Sequence, residues 1–404
     1  VGLIACSVIA VMVPGHAWAQ PDTGEIPIPS QGGKIPATVI EPLKLPAMPL
    51  RTQDRWIVDS TGKRVKLASA NWYGAESPEH VVGGLDQAPL ASIPRWLREH
   101  GFNSIRLPWS NELLETNPVV KPEHLAANPE LVGLRGLEVM DRVIAAAAAE
   151  GLMVVLDNHR SRADWCCDEA HGDGLWYSKQ YPESAWIADW KTMASRYRNQ
   201  PAVVAAELRN ELRPDPAITD AKPSWGDGNI ATDWKRAAQL GGNAVLAANP
   251  DLLVIIGGLE YQGSLQNAYK DPAQLSASNR IVYSAHDYVF FNGEEELADY
   301  SVYQAKLDDR WGKMLQSAPV YVSEFGTCTS GECTLKDLNY IRFITRYLDQ
   351  TEADWAYWPV NGTQSEGYSR EHGATETYGL LDESWTRGSN DLVLALLLGI
   401  QKPE

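Results

Sequence analysis

The feature that most constrains this chain is a rhythm in its hydrophobicity. From residue 65 onward, short apolar runs alternate with stretches of helical period. The strand-like runs are "VKLASAN" (65–71), "FNSIRLP" (102–108), "LMVVLD" (152–157), "VVAAEL" (203–208), "LLVIIG" (252–257), "RIVYSAH" (280–286), "PVYVSEF" (319–325) and "DWAYWPV" (354–360). Helical patterns fall near 89–100, 135–150, 185–198, 231–248, 301–316, 335–350 and 389–400. Continuous apolar strands alternating with helices indicate a parallel sheet covered on both faces. Eight such units in about 350 residues fit a single α/β domain of the (β/α)8 TIM-barrel type, with enlarged loops at the C-terminal face. A doubly wound open sheet is the rival. It would carry a glycine-rich phosphate turn after its first strand, and "ANWYGAES" has no such spacing. Ahead of the first strand, "RWIVDSTGKRVKL" reads as a hairpin turning at Thr61-Gly62.

In a parallel barrel the carboxyl ends of all strands converge on one mouth, where active sites lie. Here those ends read Asn71-Trp72, Arg106, Asp157-Asn158-His159, Asn210-Glu211, Gly257-Gly258, His286-Asp287-Tyr288, Glu324 and Trp358. Polar groups are costly inside a strand core, so their concentration at one end of seven strands points to a shared site. Glu211 follows the fourth strand and Glu324 the seventh, roughly opposite each other in an eight-stranded barrel. A single glutamate at a strand end is more often an ion-pair partner than a catalyst. Two carboxylates facing each other across a cleft are what glycoside hydrolysis needs, one as proton donor and one as nucleophile.

The net charge of -17 argues against nucleic-acid partners, which need a basic surface. Fifteen Trp beside five Phe is the compositional anomaly, and indoles suit the flat CH faces of sugar rings as well as they suit a core. Residues 1–19 resemble a signal peptide ending in Ala17-Trp18-Ala19, so cleavage after Ala19 and a secreted or periplasmic location are expected, with no spanning segment in the mature chain. "LIAC" at Cys6 has the look of a lipoprotein box, but most of the apolar run follows it. Residues 20–50 contain seven Pro and read as an extended linker, leaving 51–404 as the catalytic domain. Export permits disulfides among Cys166, Cys167, Cys328 and Cys333. The spacing in "CTSGEC" suits a local Cys328–Cys333 bridge; Cys166 and Cys167 form a vicinal pair or reach the other loop. Neither spacing resembles a zinc site, and neither metal nor cofactor is expected.

The strand-end motifs together resemble glycoside hydrolase family 5. They are Arg106 in "IRLPW", His159 in "LDNHR", Asn210-Glu211 in "LRNEL", His286 and Tyr288 in "SAHDY", Glu324 in "SEFG" and Trp358 in "AYWPV". The similarity spans roughly residues 54–400. "NWYG", "RLPWSNELL", "LDNHR", "YSAHDY" and "SEFGT" resemble bacterial endoglucanases, whereas "WCC", "LRNEL" and "TYGLLD" resemble a plant and microbial branch with less settled substrates. The resemblance implies a retaining, cofactor-free hydrolase of β-1,4-glucan, acting as a monomer. In that reading Glu211 is the acid/base and Glu324 the nucleophile, held by Arg106 and Tyr288. Asn210 bonds the sugar 2-hydroxyl, His286 orients Glu211, His159 meets a sugar hydroxyl and Trp358 floors the cleaved sugar's site. Trp72 joins the substrate-binding set, with Tyr73, Trp109, Trp165, Trp176 and Trp225 as further candidates. Trp186, Trp190, Trp234 and Trp311 fall in helical patterns and read as packing residues, and His171 as a solvated loop residue. The alternatives are an exo-acting β-glucosidase, a hydrolase of β-mannan, another β-glycan or a glycolipid, or a carbohydrate-binding barrel without activity. A metal-dependent barrel hydrolase would need HxH on the first strand, which reads "SANW" instead.

Overall fold

In a computed structural model of the chain, the described residues are 41–167, 172–218 and 222–401. The leader (1–19), Cys6, most of the linker (20–40) and His171 lie outside them. Eight parallel strands close into a barrel, each paired with the next in the chain and the last with the first. They are β3 (Ala68–Asn71), β4 (Ser104–Ser110), β5 (Met153–Arg160), β6 (Val203–Glu207), β7 (Leu253–Gly257), β8 (Ile281–Tyr288), β9 (Val320–Gly326) and β10 (Asp354–Tyr357). Helices Ser92–Glu99, Gly136–Ala149, Glu183–Arg196, Trp234–Ala248, Tyr300–Arg310, Leu335–Thr351 and Asp391–Gly399 ring the outside. Among the described residues, none is long and apolar enough to cross a membrane.

Side chains alternate between the two faces of every strand, and that period of two builds the site. On β5, Val154 and Leu156 turn outward to the helices, while Met153 and Val155 turn into the barrel. On β7 the same division separates Val254 and Ile256 from Leu253 and Ile255. The inward residues nearest the amino ends form an apolar plug with Leu50, Ile57, Val65 and Leu67. The segment before the barrel therefore closes its floor. One period further along the strands the inward positions turn polar: Arg106, Asp157, Glu207, Ser284, then His159 and His286.

The chain before the barrel makes two antiparallel turns where one was expected. β1 (Arg51–Gln53) pairs antiparallel with β2 (Trp56–Val58) around Asp54-Arg55, and Asp54 takes the left-handed conformation such a tight turn needs. The turn at Thr61-Gly62 closes only a single bridge, Val58 with Arg64. There Asp59 draws the chain round its own carboxylate, accepting from the Thr61 and Lys63 amides at 2.9 and 3.0 Å.

The tryptophans of the outer layer have a common task. Trp186 and Trp190 both donate their indole N–H to the Leu208 carbonyl, at 3.1 and 3.0 Å, and Trp234 donates to Gly257 at 2.9 Å. Three buried indoles thus satisfy strand-end carbonyls that have left the ladder.

Candidate active site

Arg106 is the hub. It enters the barrel from the middle of β4 because its neighbours Ile105 and Leu107 face the helices. Its Nε donates to Glu207 Oε2 at 2.6 Å; Nη1 reaches Glu324 Oε1 at 2.7 Å and Asn71 Oδ1 at 2.9 Å. Nη2 donates to Asn210 Oδ1 at 2.8 Å and lies 3.1 Å from Asp157 Oδ2. A guanidinium has five N–H donors in a rigid fork; four hydrogen bonds leave it here, and the Asp157 carboxylate stands beside it as a further ion-pair partner. Three carboxylates around one cation cannot all remain charged at no cost. Burial raises Asp157, which Arg106 only partly offsets and the Glu207 charge aggravates. Burial also disfavours ionised Glu207, but the Arg106 charge and hydrogen bond outweigh it and hold Glu207 low.

Glu324 ends its strand beside that cation. Its second oxygen accepts from Tyr288 Oη at 2.9 Å, so both carboxylate oxygens are held in place by hydrogen-bond donors. Glu211 has a different environment. It sits just past β6 with φ of 41°, a left-handed conformation that costs a residue with a Cβ roughly 1 kcal/mol or more. The strain is held by its own N–H, which donates to Gln262 Oε1 at 2.7 Å. Burial raises the Glu211 carboxyl to about 7, against opposing effects of Arg213, His159 and Arg106.

Between the two carboxylates stands His286, whose register partner on β9 is Glu324. His286 Nδ1 is 2.8 Å from Glu211 Oε1 and 3.7 Å from Glu324 Oε2. One oxygen of each carboxylate and one ring nitrogen all lie within 4.8 Å of one another. The hydrogen bonds fix the protons. Ser323 has one hydroxyl proton, and it goes to the ionised Glu207, 2.8 Å away. The His286 Nε2 at 3.0 Å from Ser323 Oγ must then carry the ring's proton. Burial keeps His286 below its ordinary value, hence neutral, so Nδ1 presents a lone pair. The proton shared between Nδ1 and Glu211 is therefore the carboxylic acid's own.

Asn210 is locked by two partners. Its oxygen accepts from Arg106, and its amide nitrogen lies 3.4 Å from His159 Nε2. His159 bonds Asp157 through Nδ1 at 2.7 Å, and burial pushes it down to about 3, so it is neutral. His159 also stacks on Trp358, with centroids 5.5 Å apart, and Tyr73 stacks on the same indole at 5.3 Å. Trp165 meets Tyr73 edge-on at 5.2 Å and is itself covered by the Arg370 guanidinium. The aromatic faces and the polar rim leave a surface suited to a pyranose ring.

Glu211, Glu324, Arg106, His159, Asn210, His286, Tyr288 and Trp358 are all brought together at the mouth. Trp72 is not. It is fully enclosed in the strand–helix core, with its indole N–H on the Gly83 carbonyl at 3.0 Å, because the chain leaves β3 with Trp72 turned outward and Tyr73 inward. Trp109 and Trp176 are likewise sealed in that core, and Trp225 packs against its edge with its N–H on Asp271. Of the six aromatic candidates, Tyr73 and Trp165 join the site. Asp287 is structural, bonded by Tyr303 at 2.6 Å and Asn292 at 3.2 Å. The structure pairs Cys328 with Cys333 and Cys166 with Cys167, and the Cys166 sulfur lies 3.7 Å from the Asn210 amide. Sequence reasoning passed over Glu207, which looked like an ordinary strand residue, and Gln262. The signal for Glu207 was a charged residue inside an apolar run, "VVAAEL".

The family model for cellulases of glycosyl hydrolase family 5 matches residues 58–364. An endoglucanase of Paenibacillus polymyxa is 33% identical over 361 residues, covering 83% of each chain. The major extracellular endoglucanase of Xanthomonas campestris is 30% identical, over 85% of this chain and 69% of that one. The catalytic domain of that enzyme superposes with a TM-score of 0.74 at 28% identity, covering 86% of this chain and 99% of the other. A hyperthermophilic endocellulase of Pyrococcus horikoshii superposes at 0.75 with 25% identity, over 89% of this chain and all of that one, and has also been solved with cellotetraose.

Proposed function

The chain belongs to glycosyl hydrolase family 5, and on that premise we propose that it cleaves β-1,4-glucan internally, with retention of configuration, by double displacement. The observation that carries this reading is the placement of Glu211, His286 and Glu324, with one carboxylate oxygen or ring nitrogen of each within 4.8 Å of the others. Retaining glycosidases hold their carboxyl groups about 5 to 5.5 Å apart, close enough for direct attack, whereas inverting ones leave about 6.5 to 9.5 Å for a water.

Glu324 is the nucleophile. Arg106 and Tyr288 each hold one of its oxygens and aim it at the anomeric carbon, where its attack forms a glycosyl ester. Glu211 is the acid: burial keeps it protonated near neutrality, and it gives its proton to the departing glycosidic oxygen. It then takes a proton from the water that hydrolyses the ester, returning to its starting state. The His286 lone pair aligns the acid's proton without competing for it strongly, since burial lowers the imidazole's own basicity. Asn210 meets the sugar 2-hydroxyl with its oxygen and nitrogen fixed by Arg106 and His159. Trp358, backed by Tyr73, carries the ring. The glucan substrate and endo action rest on the endoglucanase relatives and the cellotetraose bound by a structural neighbour. Export rests on the extracellular relative and on two disulfides, which persist in oxidising compartments.

The test follows a soluble β-1,4-glucan by viscosity and by the anomeric proton signal in early hydrolysis. Retention with viscosity falling well ahead of reducing ends is the expected result. Net inversion overturns the mechanism, and release of glucose or cellobiose at nearly constant viscosity overturns endo action.

A further inference from the structure

Away from the catalytic pair, a second group of ligating side chains stands at the barrel mouth. Glu79 follows β3, His124 lies in the turn Pro122–Leu125 after β4, and His372 lies in the long loop after β10. Glu79 and His124 are buried and His372 is exposed. One ligand atom from each lies within 4.8 Å of the others.

The hydrogen bonding leaves this group incomplete. Glu79 Oε1 accepts from the Glu366 amide at 2.5 Å and lies 2.8 Å from His372 Nδ1. Its Oε2 points at His124 Nδ1, 4.0 Å away, too far for a hydrogen bond. Neither ring nitrogen of His124 has a partner, although the side chain is only 7% exposed. A buried imidazole with both nitrogens unsatisfied costs free energy, and a native site usually holds something that satisfies them. The spacing suits an ion: ligands bound at about 2.0 to 2.1 Å in a tetrahedron stand a little over 3 Å apart. On the far side of His372, Asp86 Oδ2 lies 3.4 Å from Nε2. A carboxylate behind a histidine is the usual device that orients a metal-bound imidazole and raises its basicity.

We propose that Glu79, His124 and His372 bind one divalent transition-metal ion of zinc type, with Asp86 orienting His372. Two imidazoles and a carboxylate favour zinc over calcium or magnesium, which prefer oxygen. The ion clamps three mouth loops, from the first, second and eighth barrel strands. Its role is structural. The loop it fixes carries Arg370, stacked on Trp165, and Glu376, which accepts the Tyr73 hydroxyl at 2.7 Å. The clamp therefore steadies the wall made by Tyr73 and Trp165 without touching the reacting atoms.

The experiment uses the full chain, stripped with a chelator and titrated with Zn2+ alone against a chromogenic competitor, with bound metal counted by elemental analysis. One equivalent per chain is expected, with a rise in the thermal midpoint. His372→Ala, a substitution at an exposed position, and His124→Ala should each abolish that equivalent, and Asp86→Asn should weaken it about 10- to 100-fold. Glu324→Gln should leave it intact, which separates this site from the catalytic carboxylates. Cobalt in place of zinc should give visible absorption bands that His372→Ala removes. No bound equivalent, or an equivalent that survives His372→Ala in a folded chain, overturns the proposal; so does one that Glu324→Gln removes.

Discussion

Substituting Glu211 by Gln separates what this residue does for catalysis from what it costs the fold. The folded carboxyl is raised from 4.5 to about 7, and burial is the main cause. A raised carboxyl favours the protonated fold, so the native state holds more protons than the unfolded chain between those two values. Its stability is fully present below pH 4.5 and is lost as pH rises through 7. At 1.36 kcal/mol per tenfold change in proton affinity, the loss is about 3 kcal/mol, an upper figure because Glu211 keeps some contact with solvent. Glutamine keeps the shape and the hydrogen bond to His286 but cannot ionise. The variant should match the wild type in urea unfolding at pH 4 and pull ahead across pH 5 to 7. By pH 8 it should exceed the wild type by up to about 3 kcal/mol, while losing turnover of natural glycans. A stability difference that does not change with pH would refute the claim that the buried acid, and not its geometry, is the cost.

Glu324→Ala should abolish turnover on every substrate, whereas Glu211→Ala should still be glycosylated by dinitrophenyl glycosides, whose leaving groups need no proton; pre-steady-state release of dinitrophenol distinguishes them. Arg106→Met leaves Glu207 and Glu324 without their cation in the core, and thermal unfolding should show a loss of about 3 to 5 kcal/mol. Replacing Cys328 and Cys333 by Ser reopens a short loop and should cost about 2 kcal/mol in the same assay, with the specific activity of the folded fraction retained.

The barrel was legible because its signal is repeated. Apolar strands buried on both faces leave no alternation, and eight in succession with helices between them admit few other folds. The eight mouth residues were legible for a related reason, since polar side chains at the ends of apolar runs violate the local pattern at regular places. What escaped is set by direction. The alternation of β3 continues one position beyond Asn71, where the strand ends, and puts Trp72 on the outward face of Ala68 and Ala70; proximity to the strand end alone had put it in the site. Its outward turn sent it to the core and gave the inward place to Tyr73. Gln262 was invisible because it comes from a loop, held at a left-handed φ of 59° so that it can reach back under Glu211. The longer ladder turns at Asp54-Arg55, while the expected turn at Thr61-Gly62 keeps a short antiparallel pairing, Asp59 N–H to the Lys63 carbonyl and Val65 N–H to that of Ile57, supported by the Asp59 side chain. Glu79, His124 and His372 lie up to 293 positions apart, and no spacing rule joins them.

The central claim is that Glu324 attacks the sugar while Glu211 supplies the proton. The most direct measurement incubates the enzyme with a 2-deoxy-2-fluoro cellobiosyl donor bearing a good leaving group, which slows hydrolysis of the glycosyl ester, and then maps the adduct by mass spectrometry. A single added disaccharide on the peptide containing Glu324 is the predicted result. An adduct on Glu211, or inactivation with no covalent sugar anywhere in the chain, would contradict it.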